Sequence, residues 1–371
     1  MRSRNLLALA AAGVLAVGAA ACGSSSSSST SSTSTASSKK VGGTISGAGA
    51  TFPQPVYDEW GNRFKSKTGT TVNYNPIGSG GGIAQFTAGT VDFGATDSAM
   101  KDAEVAAAKK KGQPVHVPTV FGAITVSYNV SGLAKGLKLD GPTIANIFLG
   151  KIKKWNDPAI KALNSGTSLP ATAITVVHRS DASGTTKLFT TFLQDSSPTW
   201  SKQVGSDKTV KWPTGTGAAK NAGVAAAVKQ TDGAVGYVEQ AYALQNNFTT
   251  ADVKNKAGQF VAPTLQSTSA AGQGLTVPAD LRFSAINKST NPQAYPIASA
   301  TFLLVYKDQC KAGKSQQTAQ LVVNWLNYGL TDGQQVAPEL QYAPLPANVL
   351  APAKAAVAGL VCNGTPLKPN A

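Results

Sequence analysis

The sequence predicts a mixed α/β protein of two domains, with open sheets covered by helices and ligand loops beyond the strand ends. Three observations lead there. The chain has 371 residues with 42% hydrophobic content, which suffices for a sizeable core and, on length, for two domains. Short apolar strand patterns alternate with helical stretches. Loops built of glycine and small hydroxyl residues stand just ahead of helical segments.

The elements follow in chain order. After "VGGTISGAGATFPQP" the apolar residues Val56, Trp60 and Phe64 recur at helical spacing, and Thr51 is a suitable N-cap with proline tolerated in the turn that follows. "TVNYNPIG" reads as a strand entering a glycine-rich turn, and "TVDFGATD" as a second short strand. Later strands are "AITVSYNV", "AITVVHRS", "GAVGYVE" and "ATFLLVYK". Between them lie helices such as the one over Gln316 to Leu330, where Leu321, Trp325 and Tyr328 share a face. No internal repeat is visible.

The N-terminus reads as an export signal. Arg2 and Arg4 precede the apolar run from Leu6 to Ala21, which is short for a membrane span and ends in small residues before Cys22. "GAAAC" is similar to a bacterial lipobox, with alanine where leucine is usual. Residues 1–22 are therefore expected to be a lipoprotein-type signal ending at a lipid-bearing Cys22, with plain cleavage as the alternative. Residues 23–40, almost all serine and threonine, form a flexible tether because they have no apolar side chains to bury. Export to an oxidising compartment makes a disulfide between Cys310 and Cys362 the default expectation. Two distant cysteines and two histidines, His116 and His178, match no zinc spacing, so neither metal nor cofactor is expected.

Charged residues make up only 14% of the chain, yet the formal balance is +15. No aromatic residues are interleaved among the lysines, which argues against a nucleic-acid partner and leaves a general attraction for anions. Three loops give that attraction a shape: "GAGATF" (47–52), "GSGGG" (78–82) and "DASGTT" (181–186). At a helix start the backbone N–H groups are unpaired and the dipole end is positive, so three such loops in one basic exported protein point to an oxyanion pocket.

The segments "GAGATFPQPVYDEW", "YNPIGSGGGIAQF", "VDFGATDSAM", "LGKIKKWNDP", "HRSDASGTTKLF", "GAVGYVEQAYA", "YPIASATFLLVYK" and "YAPLP" occur in that order. Together they resemble the phosphate-specific substrate-binding proteins of bacterial ABC-type phosphate importers, over essentially Gly43 to Pro346. The resemblance implies a type II periplasmic binding protein fold, with two α/β lobes joined by two crossovers and the ligand cleft between them. The first lobe would comprise residues 41–120 and 295–371, and the second residues 121–294. It implies phosphate ligands at Thr51, Phe52, Ser79, Asp97, Arg179, Ser183, Gly184 and Thr185, with Asp181 supporting Arg179. It also implies a monomer that delivers inorganic phosphate to the permease and ATPase subunits of an importer and is anchored to the membrane by lipid.

The residues themselves favour a cradle over a catalyst. A nucleophilic Ser183 would need a general base and an orienting group, and the G-x-S-x-G elbow is missing around it. Other readings stay open: a site for sulfate or arsenate, a phosphoester hydrolase using Asp97 or Ser183, or a surface adhesin. Asp97 itself would select phosphate, whose retained proton it can accept, over sulfate, which has none to donate.

Overall fold

Two triplets of parallel strands, one from each part of the chain, are joined edge to edge by an antiparallel pair. The computed structural model describes residues 42–133 and 135–370. The expected signal, Cys22 and the tether fall outside these residues. The first triplet consists of β1 (Gly43–Gly49), β2 (Thr70–Pro76) and β3 (Phe93–Thr96), in the spatial order β2-β1-β3. Parallel neighbours need crossover connections. Helix α1 (Gln54–Thr68) makes the first, helix α2 (Ser79–Ala88) the second, and the short helix α3 (Asp102–Ala108) follows β3.

Strand β4 (Pro114–Asn129) then leaves this region, and β5 (Thr175–Arg179), β6 (Thr216–Ala218) and β7 (Ala234–Glu239) build the second triplet, in the order β7-β5-β6. Helix α4 (Gly184–Ser196) follows β5, helix α5 (Lys220–Gln230) follows β6, and helix α6 (Gln240–Gln245) follows β7. The antiparallel link is β4 with β8 (Ala298–Tyr306). Strand β4 changes partner along its length, pairing with β8 as far as Ala123 and with β7 from Ile124 onward.

The sequence reading found only the last part of β4. Pro118 and Gly122 interrupt the apolar pattern upstream. The strand tolerates Pro118 because the ladder to β8 shifts there: Thr301 faces Val120 while Phe302 faces Pro118, leaving Thr119 as the extra residue of a bulge.

Helix α1 buries Val56, Trp60 and Phe64, as their spacing requires. They meet Trp325 of helix α7 (Gln316–Gly329), which lies 6.1 Å from Trp60 and 5.5 Å from Phe64 between ring centroids. Burying such rings contributes about 2 kcal/mol each, and it fixes α1 so that the loop before it is held firmly. Helix α1 starts two residues later than Thr51 as its N-cap would dictate. Pro53 stands at its N-cap position without a side-chain cap, and the Thr51 hydroxyl is used elsewhere. Cys310 and Cys362 form a disulfide spanning 52 residues. A loop of that size stabilises the fold by about 4 kcal/mol in the chain-entropy account.

Candidate functional site

Parallel strands β1, β3, β5 and β6 each deliver a polar group at or just past the carboxyl end, and β2 does so through the turn that opens α2. This is where open α/β sheets hold ligands. Thr51 and Phe52 follow β1, Ser79 follows β2 and Asp97 follows β3. From the other triplet, Arg179 ends β5, Ser183 to Thr185 open α4, and Asn221 follows β6. Helices α1, α2, α4 and α5 all begin here, so four positive dipole ends converge on one place.

The structure brings the expected residues together. The Gly184 N–H donates to Ser79 Oγ at 3.0 Å, and the Asp97 N–H donates to the same oxygen at 3.2 Å. Thr185 Oγ1 lies 3.4 Å from Asp97 Oδ2 and 3.5 Å from Arg179 Nη1. A Cβ on Gly184 would sit 2.5 Å from Ser79 Oγ and 2.7 Å from Asp97 Cβ, so only glycine permits this approach. Ser183 caps α4 by accepting the Thr186 N–H at 3.2 Å, which leaves its hydroxyl proton free to donate. The ring of Phe52 is buried and its carbonyl accepts from Tyr342 at 2.7 Å.

Charge is arranged asymmetrically. Arg179 is buried, and Asp181 grips it in two parallel bonds, Nε to Oδ1 at 2.7 Å and Nη2 to Oδ2 at 2.5 Å. Burial works against the Asp181 charge, but Arg179 and the Lys220 N–H outweigh it and hold the carboxyl below its usual range. Gly78, at φ +90°, lies against this pair, and a Cβ there would meet Asp181 Oδ2 at 2.6 Å. Asp97 has no such partner. It is 1% exposed and surrounded by hydroxyls, and burial pushes its carboxyl up to about 7 against the pull of Thr301, Arg179, Thr185 and Ser79.

Two residues complete the site that the sequence reading did not identify. Asn221, fully buried, donates from Nδ2 to Thr51 Oγ1 at 2.8 Å and accepts the Glu239 N–H at 3.0 Å, tying the two triplets together. Thr301 donates to Asp97 Oδ1 at 2.9 Å. Further out, Lys208 Nζ bridges to Glu104 of α3 at 2.8 and 3.0 Å, while its carbonyl accepts the Ser183 N–H. Neither histidine joins the site's hydroxyls. His116 accepts the Met100 N–H at 3.1 Å, and His178 stacks on Trp212. A surface cavity of about 460 Å³ lies elsewhere, beside Phe260 and Gln293.

Chemically, the arrangement offers a cation, several hydroxyl and N–H donors, and one buried acceptor, which suits a small oxyanion that carries a proton. The comparisons agree in kind. Residues 34–332 match the family described as PBP superfamily domain. The chain is 43% identical to the phosphate-binding protein PstS of Pasteurella multocida, over 83% of this chain and 88% of that one. It is 42% identical to the PstS of Haemophilus influenzae, over 84% and 91%. A solved phosphate-binding protein from Stenotrophomonas maltophilia superposes with a TM-score of 0.64 at 21% identity, covering 84% of this chain and 93% of that one, which speaks to the fold.

Proposed function

We infer that this chain, which belongs to the PBP superfamily and within it to the phosphate-binding proteins named PstS, binds inorganic phosphate with high affinity for import by an ABC transporter. The observation that carries the reading is the buried pairing of unlike halves: an arginine held by its own carboxylate, and across from it an aspartate held only by hydroxyls. A bare anion would be served by the first half alone. An anion that brings a proton uses both.

Binding without turnover fits the same groups. The Ser183 oxygen is engaged as a helix cap, and His178 donates to the adjacent Arg179 carbonyl rather than to a nucleophile. The eight expected residues and Asp181 are proposed as the ligand set and its support. The two lobes are proposed at residues 41–120 with 295–371, and at 121–294; the partner change of β4 after Ala123 supports a crossover there. Permease and ATPase subunits are the proposed recipients of the ligand, and a lipid on Cys22 the proposed anchor. Among the described residues no helix is long and apolar enough to cross a membrane.

The test is calorimetry on protein stripped of bound anion, titrated in turn with phosphate, sulfate and arsenate. Phosphate should bind at submicromolar concentration and sulfate far more weakly. Absent phosphate heat, or equal affinity for sulfate, would overturn the reading.

A further inference from the structure

We propose that Thr301 is a specificity-determining positioning residue: by occupying one oxygen of Asp97 it presents the other to the ligand as a charged acceptor. The inference rests on the phosphate reading of the site. It starts from sheet register. Strand β8 runs antiparallel to β3 with Phe302 opposite Thr96, so one step further along Thr301 stands opposite Asp97. Cross-strand neighbours at that spacing reach one another with short side chains. The Thr301 hydroxyl accordingly donates to Asp97 Oδ1 at 2.9 Å. Its other acceptor, the Thr96 carbonyl, is 3.4 Å away, and a hydroxyl has a single proton to give.

The two oxygens of Asp97 are therefore unequal. Oδ1 is satisfied by a bond of ordinary length. Oδ2 has only Thr185 at 3.4 Å and Ser79 at 3.5 Å, both long, so its acceptor capacity is unused and faces the strand-end hydroxyls. Thr301 is itself fixed from behind. The bulge in β4 places Thr119 as an extra residue, and its hydroxyl donates to the Thr301 carbonyl at 3.3 Å while pairing with Tyr57 at 2.8 Å. Bulges next to sites re-aim side chains, and this one anchors the strand that aims Thr301.

Removing the hydroxyl would leave Oδ1 buried without a donor. The carboxyl then either rotates or keeps a proton, since Thr301 is the strongest of the groups favouring its charged form. A protonated Asp97 donates instead of accepting, and the site then admits an oxyanion with no proton of its own. The other ionisable groups facing Asp97 are Arg179 of β5, Glu239 of β7, Tyr57 of α1, Tyr74 of β2, Tyr242 of α6 and Tyr342. Of these, Tyr57 is also hydrogen-bonded to Thr301, so the Val and Ala substitutions reach it too, while Ser keeps that hydroxyl.

The test compares Thr301→Val, Thr301→Ala and Thr301→Ser with the parent by phosphate and sulfate calorimetry at about pH 8, above the value of about 7 at which the parent Asp97 gives up its proton, with thermal melting to verify folding. Val matches threonine in shape without the hydroxyl, Ala removes both shape and hydroxyl, and Ser restores the donor. The phosphate-to-sulfate ratio should fall at least tenfold in the folded Val or Ala variant through tighter sulfate binding, and should stay within threefold of the parent in Ser. A ratio kept by Val or Ala, or lost by Ser, overturns the assignment and leaves Thr301 a sheet residue. Failure of the parent to bind phosphate would instead sink the phosphate reading itself.

Discussion

Asp97 and Asp181 are the same residue type in the same cleft, yet the fold gives them opposite charge preferences. Asp181 faces a guanidinium that meets both its oxygens, and it stays ionised despite partial burial. Asp97 is more deeply buried, and its shortest donor is a neutral hydroxyl, so it holds its proton up to about 7. The partner, not the residue, decides the state. On the proposed phosphate reading the difference separates two tasks: the Arg179 side supplies attraction for any oxyanion, and the Asp97 side asks whether that anion carries a proton.

Breaking the attractive side should have the largest effect. Arg179→Ala removes the cation and leaves Asp181 as an uncompensated charge beside the ligand. Phosphate should bind about 3 kcal/mol or more weaker, at least a hundredfold, in titration calorimetry. Affinity within a few-fold of the parent would erase the contrast between the two aspartates.

The Asp97 side can be sharpened through stability. The folded value of about 7 lies above the ordinary 3.8, so the folded state binds this proton more tightly than the unfolded chain. The group therefore favours folding at low pH, and that contribution is lost as pH rises through about 7. Asp97→Asn carries no such loss. Anion-free Asp97→Asn should melt a few degrees above the parent at pH 8, about 2 kcal/mol with local relaxation included, and the gap should close by pH 4. A gap independent of pH would mean that Asp97 is ionised throughout.

A smaller effect is expected at the ion pair joining α3 to the loop before β6. The Lys208 side chain is only 8% exposed, and its carbonyl holds the Ser183 N–H. Lys208→Ala should weaken phosphate and sulfate alike by about 1 kcal/mol, because it loosens the approach of the triplets without touching either aspartate. A change in the phosphate-to-sulfate ratio would show that selectivity is not confined to Asp97 and its hydroxyls.

Much of this division was legible in the sequence, and what was hidden has physical reasons. The loops around Thr51, Ser79 and Ser183 announce themselves because anion cradles need glycine, small hydroxyls and a following helix, all local signals. Arg179 and Asp181 are two residues apart in one motif. Thr301 was invisible because it sits inside "ATFLLVYK", an apolar strand pattern, and its role arises from register against β3. Asn221 follows a three-residue strand, "TGA", too short and too exposed to read as β structure. Thr51 looked like a helix cap, yet the proline at position 53 moved the start of α1 and freed the hydroxyl for Asn221. The long first half of β4 was masked by Pro118, which only the bulge makes tolerable.

The central claim is that phosphate brings its own proton to Asp97 while sulfate must use the one Asp97 holds. Its most direct test is sulfate and phosphate calorimetry across pH 6 to 9 on the parent and on Asp97→Asn. Sulfate affinity for the parent should fall by up to about tenfold per pH unit above 7, with phosphate affinity changing less, and the sulfate slope should vanish in Asp97→Asn. Parallel pH profiles for the two anions in the parent, or a sulfate slope that survives in Asp97→Asn, would contradict the account.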